Sequence, residues 1–403
     1  MTTRSSPPEM PQYHRYDLII IPLLMVATLA VLAVVGEVCS RMIFVESGSE
    51  TCSMIGPAGV GVMRPNCTSY RKAAEGPPTV NAYNDFNAYN DCGYRTPQPC
   101  HTRLPGEIRV ALMGTSTAAG MKVPYPDTFP ARLTRALTDA CHRPVDFQDM
   151  GIPGASLAKI FLRTDEALAM RPNLVMLVIT PVEMRGSEDD GPSNRAKPAS
   201  AGVRADRPGM PSSLRASAKS LVSRISDLAY QSRLLVVAQH FLFQDRATYI
   251  RLYLMHGDEA DYLRLPYSRA WRQRLDAFDK LLGDMAAKIH AAGVPMMLVL
   301  APARIQAALL DPSLRPPNVD PFALGRDLAA IAARHEVAFQ DTLQEFTRVA
   351  RPDDMFYAVD GHIDGDGNAL LARAIYAGLL HASGPFADCA AAHFAQSQMA
   401  AKP

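Results

Sequence analysis

The pattern of apolar and polar positions divides the chain into stretches of different character. From Leu18 to Gly36 it reads LIIIPLLMVATLAVLAVVG without one charge. A bilayer core takes about 20 such residues, and a soluble helix of that length normally keeps a polar face. The pattern predicts a transmembrane helix over 17–37, with Pro22 near its start, where a membrane helix tolerates it. A cleaved leader fits less well, because the VVGEVCSRM that follows offers no good cleavage site. Residues 38–105 are punctuated by Asn, Asp, Gly and Pro, show little periodicity, and read as an extended juxtamembrane collar.

Beyond the collar the rhythm becomes regular. IRVALMG (108–114), VDFQDMG (145–151), LVMLVIT (174–180), PMMLVLA (295–301) and VAFQD (337–341) are apolar runs of strand length. Between them lie helical stripes: Phe129, Leu133 and Leu137, then Leu275, Phe278, Leu282, Met285 and Ile289 up to a stop at Gly293. A last helix runs from about Ala369. Strands that are apolar throughout and alternate with helices need cover on both faces. The expectation is an α/β domain over 106–385, with a doubly wound, flavodoxin-like, parallel five-stranded sheet. An insertion at 186–265 interrupts it. Residues 186–218 are Pro, Gly, Ser and Arg with too little apolar content to offset ordering, and a helical stretch follows around 219–260. Residues 1–16 and 386–403 read as a cytoplasmic and a C-terminal tail.

Composition adds the compartment. The 403 residues carry 41 basic and 40 acidic side chains, a net charge of +1. Such balance lacks the basic surface that nucleic acid requires, so no nucleic-acid partner is expected. Arg4 and Arg15 precede the apolar segment, whereas Arg41 stands alone just after it, which orients the N-terminus inward. Of the seven cysteines, Cys39 lies at the membrane end; the rest are an even set, Cys52, Cys67, Cys92, Cys100, Cys141 and Cys389. An even set beyond an anchor suits an oxidising compartment. The expected location is the inner (cytoplasmic) membrane, single-pass, with the C-terminal domain facing the periplasm or cell exterior. Sequence alone leaves the pairing open. Cys52–Cys67 and Cys92–Cys100 each bracket a short turn-rich segment, and Cys141–Cys389 would then tie the C-terminal tail to the first half of the domain.

Ligands of doubly wound sheets bind outside the carboxyl ends of the strands. Gly114-Thr115-Ser116-Thr117 closes the first strand, and Gly151-Ile152-Pro153-Gly154 follows the second. Asp360-Gly361-His362 precedes the last helix. A Ser, a His and an Asp at one edge can form a nucleophile, its general base and the orienter of that base. Taken singly, Ser116 also reads as a helix cap and Asp360-x-His362 as a turn. The acidic run from Asp360 misplaces the Gly or the Glu of a calcium loop, and the histidines lack metal-ligand spacing, so neither metal nor cofactor is expected. Trp271 with Tyr253, Tyr262 and Tyr267 could line a sugar-binding groove or pack a core.

From about Asn87 to Leu380 these blocks resemble the SGNH/GDSL hydrolase superfamily. The resemblance rests on Asn90 with Gly93-Tyr94-Arg95, the strand ending Gly-x-Ser116, and Gly120 with Val123 and Asp127-Thr128-Phe129-Pro130. It continues in Gly151-Ile-Pro-Gly154, Arg171-Pro172-Asn173-Leu174-Val175, and Asp360-Gly361-His362 with Gly367 beyond. It implies Ser116 as nucleophile, His362 as base, Asp360 as its partner, and the backbone N–H groups of Ser116 and Gly154 as oxyanion donors. Two departures stand out. Thr115 replaces the family's Asp, and the third block falls on Thr180-Pro181-Val182-Glu183, with Val182 where an Asn normally donates. The two-residue Asp-to-His spacing is similar to membrane-linked branches that resemble alginate O-acetylation proteins. The resemblance therefore implies a serine-dependent esterase or O-acyltransferase acting on O-acylated cell-envelope or exported polysaccharide. Its expected partners are a membrane-bound acyltransferase or a polysaccharide synthase complex. The rival from another class is a weak or inactive domain that binds glycan or scaffolds an export or acylation complex. An esterase of lipids or small esters is a third reading.

Overall fold

The structure, a computed structural model, describes residues 16–43, 47–49, 52–56, 59–72, 75, 85–185, 232–255, 257–381 and 384–389. Helix α1, Asp17–Ile43, carries the apolar segment. The most apolar 18-residue window within its Leu18–Met42 stretch has a mean hydropathy of 3.0 with none of it buried inside the protein, and the helix is long enough to cross a membrane. The helix runs beyond the expected 17–37. Glu37 and Arg41, one turn apart, pair at 2.7 Å and extend it past its last apolar turn.

The collar departs from the featureless segment expected. Strands β1 (Ser47–Ser49), β2 (Ser53–Ile55), β3 (Gly61–Met63), β4 (Thr68–Lys72) and β5 (Asp85–Ala88) form an antiparallel β2–β3 pair and a separate β1–β4–β5 sheet. Such short runs give too few positions for alternation to show in sequence. Cys52–Cys67 brackets the β2–β3 pair, and Cys92–Cys100 closes the next turn.

The domain that follows is built on strand β6 (Ile108–Gly114), helix α2 (Phe129–Cys141), β7 (Val145–Asp149), α3 (Leu157–Phe161), α4 (Thr164–Ala169) and β8 (Leu174–Ile179). It continues with α5 (Arg233–Leu242), α6 (Arg246–Leu254), α7 (Arg269–Ala291), β9 (Met296–Leu300), α8 (Arg304–Ala308) and α9 (Ala323–Arg334). Strand β10 (Ala338–Asp341), α10 (Leu343–Phe346) and α11 (Gly365–His381) complete it. The five long strands pair in parallel in the order β10–β9–β8–β6–β7, the flavodoxin-like doubly wound arrangement. Strands β6 to β9 are buried end to end. Alternate side chains enter opposite layers. Met113, Leu177 and Leu298 meet Phe278, Leu282 and Ile289 of α7, while Leu112, Met176 and Val299 meet Leu133 and Leu137 of α2 and Ile375 of α11. Helix α7 starts with Ser268 accepting from the Trp271 N–H and stops at Gly293, whose φ of 73° the expected C-terminal turn needs.

Of the two readings of the aromatic residues, core packing holds for Trp271 and Tyr262, which are fully buried with their rings 5.7 Å apart. Within the insertion, 186–231 lie outside the described residues, whereas α5 and α6 are helical as expected. The domain also reaches beyond 385: Phe386 is 1% exposed, and Cys389 is bonded to Cys141 across a separation of 248 residues. A link closing so long a loop removes much freedom from the unfolded chain. Replacing both Cys141 and Cys389 by Ser should lower unfolding stability by about 2–5 kcal/mol, read by denaturant titration with and without reductant. Equal stability in the two proteins would contradict this.

Candidate active site

Ser116, Gly154, Asp360 and His362 come from three separate loops, and the sheet brings those loops to one edge. Strand β6 delivers Ser116 two residues past Gly114. A Cβ on Gly114 would stand 2.6 Å from the Val178 carbonyl oxygen and from the Ala118 methyl, so only glycine lets the turn close against β8. The Ile152 N–H donates to the Gly114 carbonyl at 3.1 Å and ties the β7 turn to the Ser116 turn. Gly154 holds a φ of 76° on the exposed bend, a left-handed conformation that any side chain would strain.

The polar chain is continuous. His362 Nε2 lies 2.8 Å from Ser116 Oγ, and His362 Nδ1 lies 2.5 Å from Asp360 Oδ1. The second Asp360 oxygen accepts from the Lys122 ammonium. Lys122 adopts a φ of 67°, and the Tyr357 hydroxyl donates to its carbonyl at 2.8 Å. Burial alone would raise the Asp360 pKa; the hydrogen bond and charge of His362 and the Lys122 ammonium outweigh it and hold the carboxyl well below the usual range. A depressed carboxylate contributes stability that is present above its unfolded pKa and is lost as pH falls through the folded one. Asp360 is therefore the charged member of the pair.

The backbone N–H groups of Ser116 and Gly154 take part in no hydrogen bond among the described residues. Val182 is 51% exposed and has no donor to add. Its neighbours do not substitute. The Glu183 carboxylate accepts from the Thr115 hydroxyl, the Thr180 hydroxyl and, at 2.6 Å, the Thr180 N–H. Thr115 and Thr180 are thus spent on a carboxylate, and the departure at Thr115 acquires a use: it locks the β6 and β8 turns together.

Sequence reasoning gave no role to Lys122, and to Arg95 none beyond the family block. Arg95 is buried and donates to the carbonyls of Ala119 (2.5 Å), Gly120 (2.8 Å) and Val123 (2.8 Å), which fixes the loop that carries Lys122. The Arg95 N–H donates to the Asp149 carbonyl at 2.9 Å. Burial pushes the Asp149 carboxyl up to about 7 against the Gly151 N–H bond at 2.9 Å and the nearby Arg95 and Arg163 charges. Burial likewise raises Asp146 to about 6. The native state holds these protons more tightly than the unfolded chain. Their contribution is complete below about pH 4 and is lost as pH rises toward 7. Asp149→Asn keeps an acceptor for Gly151 and should make the fall in stability between pH 4 and 7 shallower in denaturant titrations. An unchanged slope would count against a buried, protonated Asp149.

No protein-family model matches the chain, and no curated protein sequence matches it. Among solved structures, it is similar to one described as TesA, with 15% identity and a TM-score of 0.37, covering 67% of this chain and 97% of that one. It is also similar to Axe2, an acetylxylan esterase from Geobacillus stearothermophilus, at 15% identity and a TM-score of 0.36, covering 67% and 93%. A lipase/acylhydrolase from Enterococcus faecalis gives 14% identity and 0.36, covering 68% and 95%.

Proposed function

We propose that the chain is a serine-dependent acyl-ester hydrolase or O-acyltransferase held at the membrane by α1. The observation that carries this reading is the unbroken Ser116–His362–Asp360 chain beside two unengaged backbone N–H groups. Ser116 Oγ attacks an ester carbonyl carbon while His362 Nε2 takes its proton. The tetrahedral oxyanion is held by the N–H groups of Ser116 and Gly154. Collapse expels the alcohol, which takes the proton from His362, and leaves an acyl-Ser116. Water or a sugar hydroxyl then attacks that ester, again losing its proton to His362, and Ser116 leaves by taking that proton back. Asp360 keeps Nε2 free of its proton at the start and balances the imidazolium that forms.

The proposed substrate class is an O-acylated glycan of the cell envelope or of exported polysaccharide, with a membrane acyltransferase or polysaccharide synthase complex as partner. Incubating the full chain in detergent with 4-nitrophenyl acetate should release a burst of nitrophenol, and added sugar acceptors should divert the acetyl group if transfer is the natural outcome. The second reading, a glycan-binding or scaffold subunit, is favoured by the exposed Val182. It expects glycan binding with no burst.

Three disulfides and the apolar α1 support an outward-facing domain on a single-pass inner-membrane anchor. A reporter fused after Pro403 should be active only when it needs export. Activity of a reporter that works only in the cytoplasm would reverse this orientation.

A further inference from the structure

The loop that carries Asp360 is gripped by two charged groups that also reach α5, Glu75 from outside the α/β domain and Arg304 from within it. The Glu75 side chain is 5% exposed. Its carboxylate accepts from the Val359 N–H at 2.9 and 3.1 Å and from the Asp360 N–H at 2.8 Å. The same carboxylate lies 3.0 Å from Nδ1 of His240, which stands on α5. Arg304 takes the other side of the turn. Its guanidinium donates to the Ala358 carbonyl and, at 2.7 Å, to the carbonyl of Phe243, the last residue of the α5 cap. The ring of Tyr249 lies beneath it at 4.1 Å. Helix α5 in turn is seated on the anchor. Glu37 of α1 accepts from the Ser232 hydroxyl at 2.8 Å and from the N–H groups of Arg233 at 3.1 Å and Leu234 at 2.9 Å.

From this double bridge we infer that Glu75 is a positioning residue, which, held by His240 of α5, sets the Asp360–His362 geometry through the backbone of Asp360. The inference rests on the reading of Asp360 and His362 as the base pair of the site. Buried hydrogen bonds to a carboxylate are among the stronger ones, and a backbone turn that loses two acceptors at once must move or take in water. Asp360 lies one peptide bond from Val359, so that movement passes directly to the carboxylate that orients His362. Small displacements at such a position lower the reaction rate more than they weaken substrate binding. Glu75 touches neither Ser116 nor His362 in the described contacts, and so acts through Asp360.

The test uses the full chain in detergent and compares Glu75→Ala, Glu75→Gln and His240→Ala with the unaltered protein. With 4-nitrophenyl acetate, Glu75→Ala should lower kcat by about 10- to 100-fold with KM within about twofold. Glu75→Gln, which keeps one acceptor, should recover part of the loss, and His240→Ala should give a smaller fall. Independently of any substrate, the low-field proton resonance of the His362 Nδ1–H bonded to Asp360 should broaden or vanish in Glu75→Ala while the melting temperature shifts by only a few degrees. Loss of that resonance without measurable esterase activity in the unaltered protein would uphold the positioning role and remove the proposed function. An unchanged resonance and an unchanged kcat in Glu75→Ala would overturn the inference, whatever happens to thermal stability.

Discussion

Ser116→Ala should abolish acyl-enzyme formation and lower turnover by at least about 10³-fold, because no other nucleophile among the described residues is in reach of His362 Nε2 and only background catalysis by the oxyanion donors remains. The change removes one hydroxyl from a half-buried turn whose shape is set by Gly114, Arg95 and the Thr115–Glu183 contact, so the fold should persist. His362→Ala should cost nearly as much, since a serine hydroxyl without its base is a poor nucleophile. The two losses should not add: the double variant should fall no further than either single one. Steady-state rates on an activated ester read all three proteins. Turnover within a few-fold of the unaltered chain in either single variant would remove the catalytic roles given to these residues.

The second large effect is a gain. Val182 lies three residues past the end of β8 with its side chain exposed, and Thr180 and Glu183 beside it satisfy each other. The oxyanion would then be held by backbone N–H groups alone. Esters with good leaving groups need less stabilisation of the tetrahedral intermediate and should react readily, whereas unactivated acetyl-sugars should react slowly. Val182→Asn supplies a side-chain donor at an exposed position that tolerates polarity, and should speed hydrolysis of unactivated acetyl esters by up to about 10²–10³-fold. The gain should be smaller on activated esters. If the variant gains nothing and the native protein is already fast on acetyl-sugars, then a further donor completes the site, from a membrane partner or from the substrate's own hydroxyls.

What was legible in the sequence follows from how much local pattern each feature carries. Strands β8 and β9 were readable because burial on both faces makes them apolar throughout, and β6, apolar but for Arg109, coincides with the run from Ile108 to Gly114. Helix α7 was readable from a stripe that ends at a glycine with positive φ. Ser116, Gly154, Asp360 and His362 could be gathered because parallel topology sends every strand's carboxyl end to one edge. The collar strands were too short to announce themselves. Trp271 left two readings open because an aromatic residue reads the same on a binding face and in a core. The supports of the site were the least legible. Glu75 sits in a Gly- and Pro-rich stretch and meets Asp360 across 285 positions, and Lys122 is a single lysine in a loop. A lone charged side chain carries no periodicity, and only the folded chain shows what it reaches.

The central claim is that Ser116 becomes acylated. Intact-mass analysis of the full chain after reaction with a serine-directed phosphonate, followed by peptide mapping, addresses it most directly. One adduct per chain, located on Ser116 and absent from both Ser116→Ala and His362→Ala, is the predicted result. An unmodified chain, or an adduct elsewhere that persists in Ser116→Ala, would contradict the account and leave the scaffold reading in its place.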